Sequence, residues 1–224
     1  MKNILVAGGT DGIGLAFVKG LNPKHYDTIY VLGRHFEKVR PLHLADIIEL
    51  ECDITDQESL AAIVSKIDTP IDQFVNTIGT FHKGLIDEIN PTDVASHFEV
   101  NAIANINLTN EVLKKLKNDY AEILVCSANL ALEAREIYAL QSATKAAYRF
   151  YLEALRKEKR GTLKVMMLYP SSVSTEVFKK SGDMRDTSLY PKPKTIAQIM
   201  LFMLNQPMEV NIPEIRVNNF TKSN

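Results

Sequence analysis

The sequence predicts an α/β protein, one domain built on a doubly wound parallel sheet of about seven strands flanked by helices. Three observations carry that prediction. Short Val-, Ile- and Leu-rich runs alternate with longer helical patterns along the chain, as repeated βαβ units do. At 224 residues, 46% of them apolar, the chain can bury a core of the size such a domain needs. A glycine-rich turn follows the first apolar run and opens directly into a helical pattern.

Taken in order, the predicted strands are residues 4–7, 28–32, 47–52, 73–76, 123–126, 164–168 and 214–217, with helices in the gaps. Thr55, Asp56, Gln57 and Glu58 form a capping box that opens a helix reaching Lys66. Asn90 before Pro91 supplies an N-cap with proline at the first helical position. The looser stretch 171–194, with Gly182, Pro191 and Pro193, reads as a loop over a site, a lid for substrate, and not as a domain boundary. There is no internal repeat and no low-complexity linker, so residues 1–224 read as a single domain.

Composition narrows the function classes. With 26 basic against 27 acidic residues and a net charge of -1, the chain lacks the electrostatic footprint of a nucleic-acid binder. No apolar run approaches the roughly 20 residues that span a bilayer, which predicts no membrane segment. Met1, Lys2 and Asn3 run straight into Ile4, leaving no room for a signal peptide, and the expectation is a cytoplasmic protein. Cys52 and Cys126 sit in apolar runs without a C-x-x-C partner and read as buried thiols. The five histidines show no metal-ligand spacing, so no metal is expected.

After the first strand come Gly8, Gly9, Thr10, Asp11, Gly12, Ile13 and Gly14, then the helical Leu15, Ala16, Phe17 and Val18. Glycine lets the backbone approach a pyrophosphate, while the helix that starts here aims unpaired N–H groups and its positive dipole end at the anion. The same residues would also make an ordinary tight strand-to-helix turn. Placement on the first strand of a βαβ pattern favours a nucleotide.

The spacing Gly8-x-x-x-Gly12-x-Gly14 resembles the T-G-x-x-x-G-x-G signature of short-chain dehydrogenases/reductases, enzymes with a Rossmann fold. Ala7 replaces the usual threonine, a loss of one local hydrogen bond worth on the order of 1 kcal/mol. The resemblance extends through nearly the whole chain and in order. Cys52, Asp53 and Ile54 resemble the acidic segment after the third strand that contacts adenine. Asn76, Thr77, Ile78 and Gly79 resemble N-N-A-G. Asn101 matches the helix asparagine of the family's catalytic tetrad. Pro170, Ser171, Ser172, Val173, Ser174 and Thr175 resemble P-G-x-V-x-T, whose threonine meets the nicotinamide carboxamide, with Ser171 in place of glycine. The resemblance implies cofactor contacts at Gly8, Thr10, Asp11, Gly12, Ile13, Gly14, Asp53, Ile54, Asn76, Gly79, Lys145, Pro170, Val173 and Thr175. It also implies a homodimer or homotetramer pairing the helices that contain Asn101 and Lys145.

At the end of the second strand, where this fold reads the adenine ribose, Gly33 stands in the place of the acid that selects NAD. Arg34 follows it, suited to the 2′-phosphate of NADP. The expected cofactor is therefore NADP, with NAD the lesser alternative.

Gln141, Ser142, Ala143, Thr144, Lys145, Ala146 and Ala147 resemble the family's Y-x-A-S-K-A-A helix segment. Lys145 matches the lysine that holds the ribose hydroxyls and lowers the tyrosine pKa, but the tyrosine position is Gln141. A carboxamide donates hydrogen bonds without having a proton to transfer near neutral pH. The family's serine falls on Ala128, and a register slip would bring Ser127 into use. Tyr138 and Tyr148 share the helix stripe of Gln141 and Lys145 and are either substitute acids or packing aromatics. Catalytic candidates are thus Asn101, Ser127, Gln141 and Lys145. Two functions remain: an NADP(H)-dependent oxidoreductase acting on a small carbonyl, alcohol or activated double bond, and a dinucleotide-binding protein with little turnover that senses or scaffolds.

Overall fold

The computed structural model describes residues 1–42 and 47–220. The strands are β1 (Lys2–Ala7), β2 (Tyr26–Gly33), β3 (Ile47–Glu51), β4 (Gln73–Asn76), β5 (Ala121–Cys126), β6 (Leu163–Pro170) and β7 (Glu214–Val217). They form one parallel sheet in the order β3-β2-β1-β4-β5-β6-β7. All seven predicted strands are present, and the ends move by at most two residues. The chain winds outward from β1 to β3, returns, and winds outward again from β4 to β7. The carboxyl ends of β1 and β4, paired in register at Ala7 and Asn76, therefore flank the switch point where this architecture opens a crevice.

The helices are α1 (Gly12–Gly20), α2 (Gln57–Ser65), α3 (Pro91–Phe98), α4 (Asn105–Leu113), α5 (Ala139–Glu158), α6 (Val177–Lys180) and α7 (Pro193–Leu204). Side chains alternate across each strand, and here both faces are covered, which is why β1 reads as a continuous apolar run. Leu5, Tyr30, Leu32, Phe74, Ile123 and Val125 pack with Leu60 of α2, Leu108 of α4 and Leu152 of α5. Ile4, Val6, Ile29, Val31, Val75 and Leu124 pack with Phe17 and Val18 of α1 and Ile196 and Met200 of α7. Cys52 and Cys126 are buried free thiols.

Asn90 caps α3 as predicted, accepting from the Asp93 N–H at 2.8 Å, with Pro91 at the first helical position. The cap of α2 differs by one residue. Asp56 accepts from the Ser59 N–H at 3.0 Å, while the Thr55 hydroxyl turns back to Asp53 Oδ1 at 2.9 Å. Two adjacent capping side chains competed, and the carboxylate holds the helix. The 171–194 stretch is also more ordered than a loop: it contains α6 and runs into α7 from Pro193. Among the described residues no helix is long and apolar enough to cross a membrane, and no cluster of His, Cys, Asp and Glu is arranged to hold a metal ion.

Candidate active site

The turn after β1 is shaped by backbone. The Gly8 N–H donates to the Leu32 carbonyl at 2.8 Å, extending the ladder one residue past the strand. Gly12 has φ +53, a left-handed conformation that β-carbon-bearing residues avoid. A Cβ built there would meet only the Thr175 methyl, at 3.7 Å, so the space before the α1 N-terminus is open. Gly14 lies against the Gly8 carbonyl and seats α1 close on β1, with Ile13 packed on the core. The loop that follows Pro170 is anchored by buried Val173, whose carbonyl accepts from the Thr175 N–H at 2.8 Å. The fold thus brings the glycine-rich turn and the β6 loop face to face at Gly12 and Thr175.

Gly33 has a steric reason beyond the absent acid. A Cβ there would lie 2.5 Å from Thr10 Cγ2, so the small residue accommodates Thr10. Next to it, Arg34 is exposed and 3.6 Å from Asp53. Asp53 also accepts from the Thr55 N–H and hydroxyl, which together with Arg34 hold its carboxyl below the usual range. The Ile54 side chain is buried in the same hydrophobic cluster as Leu60 and Val64.

Asp11 carries contacts that the sequence did not reveal. Its carboxylate accepts from Lys38 at 2.7 Å and from Lys180 of α6 at 2.6 Å. Burial alone would raise its pKa, but the two lysines outweigh it and lower the value to about 2. Lys180 thereby ties α6 to the glycine-rich turn across 169 positions of sequence. No motif marks Lys38 or Lys180 as a site residue.

Across the crevice, the β4 end meets α5. Asn76 is fully buried, donating to Asn105 Oδ1 at 2.6 Å and to Tyr148 Oη at 3.3 Å and accepting from the Ile78 N–H at 2.9 Å. It shapes the following loop from within. Asn101 lies in a π-helical turn, Glu99–Ala104, of the kind often found at functional sites. Its Oδ1 accepts from the Thr80 N–H at 2.8 Å, and its Nδ2 donates to the Thr80 carbonyl and to Thr144 Oγ1, both at 3.3 Å. A Cβ on Gly79 would collide with Lys145 Nζ and lie 3.0 Å from Asn101 Oδ1. Gly79, Asn101 and Lys145 therefore converge on one point, and only glycine allows the ammonium so close to the backbone. Burial lowers the Lys145 pKa to about 8, and the lysine makes no salt bridge among the described residues.

Gln141 is buried one turn before Lys145 on α5, and its carboxamide is engaged at both ends. Nε2 donates to the Thr80 carbonyl at 3.0 Å and Oε1 accepts from the His82 N–H at 3.2 Å. Ser127, just past β5, extends the ladder through its N–H to the Leu168 carbonyl at 2.8 Å. Its hydroxyl makes no hydrogen bond among the described residues.

The expected Tyr138–Tyr148 stripe is not formed. Tyr138 stands outside α5 as its N-cap, with φ -122, and accepts from Arg185 Nη2 at 3.0 Å. Tyr148 is fully buried, its hydroxyl 2.7 Å from Thr109 Oγ1, and burial pushes its pKa up to about 12. Tyr148 is a packing residue, one of the two alternatives its spacing left open.

Residues 2–186 match the family described as short chain dehydrogenase. An uncharacterized oxidoreductase of Staphylococcus haemolyticus is 28% identical over 222 residues, covering 95% of each chain. The fold is shared with an alcohol dehydrogenase from the archaeon Thermococcus sibiricus complexed with 5-hydroxy-NADP. That chain has a TM-score of 0.90 at 19% identity, covering 100% of this chain and 99% of that one. It is also shared with a short chain dehydrogenase from Burkholderia cenocepacia J2315 in complex with NADP, with a TM-score of 0.83 at 22% identity, covering 97% and 88%. With the family match spanning most of its length, this chain belongs to the short-chain dehydrogenase family.

Proposed function

We propose that the protein is an NADP(H)-dependent oxidoreductase that moves a hydride between the nicotinamide and a small carbonyl or alcohol, or an activated double bond. The observation that carries this reading is the convergence of Gly79, Asn101 and the buried Lys145 in the same crevice as the open turn at Gly12 and Thr175. A buried ammonium without a salt-bridge partner is unfavourable, and a ligand rich in hydroxyl and phosphate oxygens would compensate it. The NADP-bound relatives of like fold support the choice of cofactor.

In this reading the backbone of the turn from Gly8 to Gly14, including Thr10, Asp11 and Ile13, holds the pyrophosphate. Asp53 and the Ile54 backbone border the adenine, Arg34 together with Lys38 takes the 2′-phosphate, and Pro170, Val173 and Thr175 border the nicotinamide end. Asn76 acts through the loop that it shapes. The bound nicotinamide supplies or accepts the hydride, so this chain must handle the accompanying proton. Gln141 stands at the family's tyrosine position and has no proton to give. Lys145, with its pKa lowered to about 8, holds a proton that it can exchange near neutral pH, and the Ser127 hydroxyl is the candidate to orient a substrate oxygen. Asn101 fixes the Thr80 backbone and Gln141 ties Thr80 and His82 to α5. A cytoplasmic homodimer or homotetramer completes the proposal, with exposed Ile103 and Phe150 on the helices expected to pair.

One observation favours a second reading, a dinucleotide-binding sensor or scaffold with little turnover. The Gln141 amide is engaged by backbone at both ends, as a structural tie would be. Purified protein mixed with NADPH and a panel of ketones, aldehydes and conjugated enones decides between them. Steady NADPH oxidation above the substrate-free background supports the enzyme. Tight NADPH binding by calorimetry with background oxidation across the panel replaces it with the binding-only reading.

A further inference from the structure

Arg185, in the lid between α6 and α7, is an arginine with its side chain only 17% exposed. Its guanidinium carbon lies over three rings, 4.4 Å from the Phe178 centroid, 5.2 Å from Phe81 and 6.0 Å from Tyr138. Such a cage holds the planar fork in a fixed orientation and compensates part of its lost hydration. Nη2 donates to Tyr138 Oη at 3.0 Å, and both Nε and Nη2 donate to the Asp183 carboxylate. Lys83 lies 3.7 Å from the same carboxylate. Two cations thus face one acid. That acid is carried on the lid two residues from Arg185, so the Asp183–Arg185 pair does not itself fasten the lid to the body.

A cleft of about 410 Å³ opens beside Asp183, walled by Lys83, Gly84, Ile137, Gly182, Asp183 and Met184, with exposed Glu88 on its lining; Arg185 does not line it and meets it only through its bonds to Asp183. Its volume lies within the few hundred cubic ångströms typical of small-ligand sites. Ile137 has φ +60, a left-handed conformation that is strained for a β-branched residue, and its carbonyl accepts from the Gly84 N–H at 2.9 Å. This strained residue immediately precedes Tyr138, and Phe81 of the cage lies between Thr80 and His82, the two residues held by Gln141. The cleft therefore borders the 80–84 segment whose start Gln141 holds to α5.

We propose that this cleft selects substrates bearing a carboxylate, an oxo acid or its hydroxy acid, with Lys83 on the lining meeting that group and Arg185 gripping it once it displaces the internal carboxylate of Asp183. A planar guanidinium matches the two oxygens of a carboxylate, and the surrounding rings exclude water from the pair. The proposal rests on the hydride-transfer reading for its substrate but not for its anion site.

The test compares 2-oxo and 3-oxo acids of four to six carbons with their methyl esters as substrates. In parallel, succinate and dimethyl succinate are used as unreactive probes in thermal-shift assays of the NADPH complex. The expected result is a kcat/KM at least tenfold higher for acids than for esters. That ratio should fall about tenfold in Arg185→Met and less in Arg185→Lys, and Asp183→Asn should tighten succinate binding several-fold by removing the resident competitor. NADPH affinity reports whether each variant is folded; if Arg185→Met is not, Arg185→Lys and Asp183→Asn still decide. Turnover with an acid-to-ester ratio near one, or a ratio insensitive to Arg185, overturns the carboxylate site and leaves the oxidoreductase standing. Succinate stabilisation that is lost in Arg185→Met, without turnover of any compound, keeps the anion site and overturns the oxidoreductase.

Discussion

The two sides of the crevice are made of different materials. At the glycine turn the surface offered to a ligand is backbone: open space before Gly12, and the α1 N-terminus seated by Gly14 on Gly8. On the α5 side it is side chains, Asn101, Gln141 and Lys145, each buried and placed by hydrogen bonds or by close approach to Gly79. A backbone cradle tolerates drift in its motif, so Ala7 in place of threonine and Ser171 in place of glycine need not close it. A side-chain centre does not, because replacing a single side chain there changes what chemistry is available. In the proposed function binding and turnover are therefore separable, and the variants below test how far.

The largest expected effect is on the backbone side. Gly12→Val places a branched side chain in the open space before α1 and strains a position at φ +53. NADPH binding should weaken by about 100-fold or more, near 3 kcal/mol, in a protein still folded by circular dichroism. Binding close to the parent's would remove the turn from the site and end the comparison.

Lys145→Met tests the other side through stability. The native pKa of about 8 lies below the ordinary 10.5, so between these values the unfolded chain holds more protons than the folded one. Stability then rises with pH through that window, and below it the buried ammonium costs about 3 kcal/mol. The variant should melt roughly 5–10 °C higher than the parent at pH 7. The gain should vanish near pH 10.5. A variant that melts lower at pH 7 would show that the ammonium is compensated in the ligand-free protein.

The same division explains what the sequence disclosed. Strands β4 and β7 were legible to the residue because period and flanking turns are local signals. The convergence of Gly79, Asn101 and Lys145 was legible as a set of motif positions, although not as a contact between an ammonium and a backbone. Lys38 and Lys180 on Asp11, and Arg185 among Phe81, Tyr138 and Phe178, were not legible at all. These three cations lie in segments without period or motif and are brought to their partners only by the packed fold. Gly33 shows a subtler limit: it was read as a missing acid, while its neighbour Thr10 is what requires a small residue there.

Gln141→Tyr combined with Ala128→Ser should raise carbonyl reduction about 100-fold if acid catalysis is what is missing. NADPH affinity should change little, since a proton donor acts in the transition state and not in ground-state cofactor binding. The loss of two ties, to the Thr80 carbonyl and the His82 N–H, should lower stability by about 1–2 kcal/mol. An unchanged rate in a folded variant would locate the proton source elsewhere, with Lys145 and Ser127 the next positions to replace.

The smallest expected effect is at the proposed adenine-ribose end, where Arg34 and Lys38 are exposed and water screens their charges. Lys38 is paired with Asp11 at 2.7 Å and Arg34 with Asp53 at 3.6 Å, and surface pairs of this kind contribute about 1 kcal/mol or less to folding. Replacing either cation with alanine should leave the melting temperature nearly unchanged. If these cations read the 2′-phosphate, each replacement should weaken NADPH about fivefold, near 1 kcal/mol, and NADH scarcely at all. Asp11→Asn makes the opposite prediction: it releases Lys38 and Lys180 from their shared acid and should tighten NADPH several-fold, more at low salt than at high. Equal NADPH and NADH affinities in the parent, unmoved by any of the three substitutions, would show that this end of the crevice does not discriminate between the cofactors.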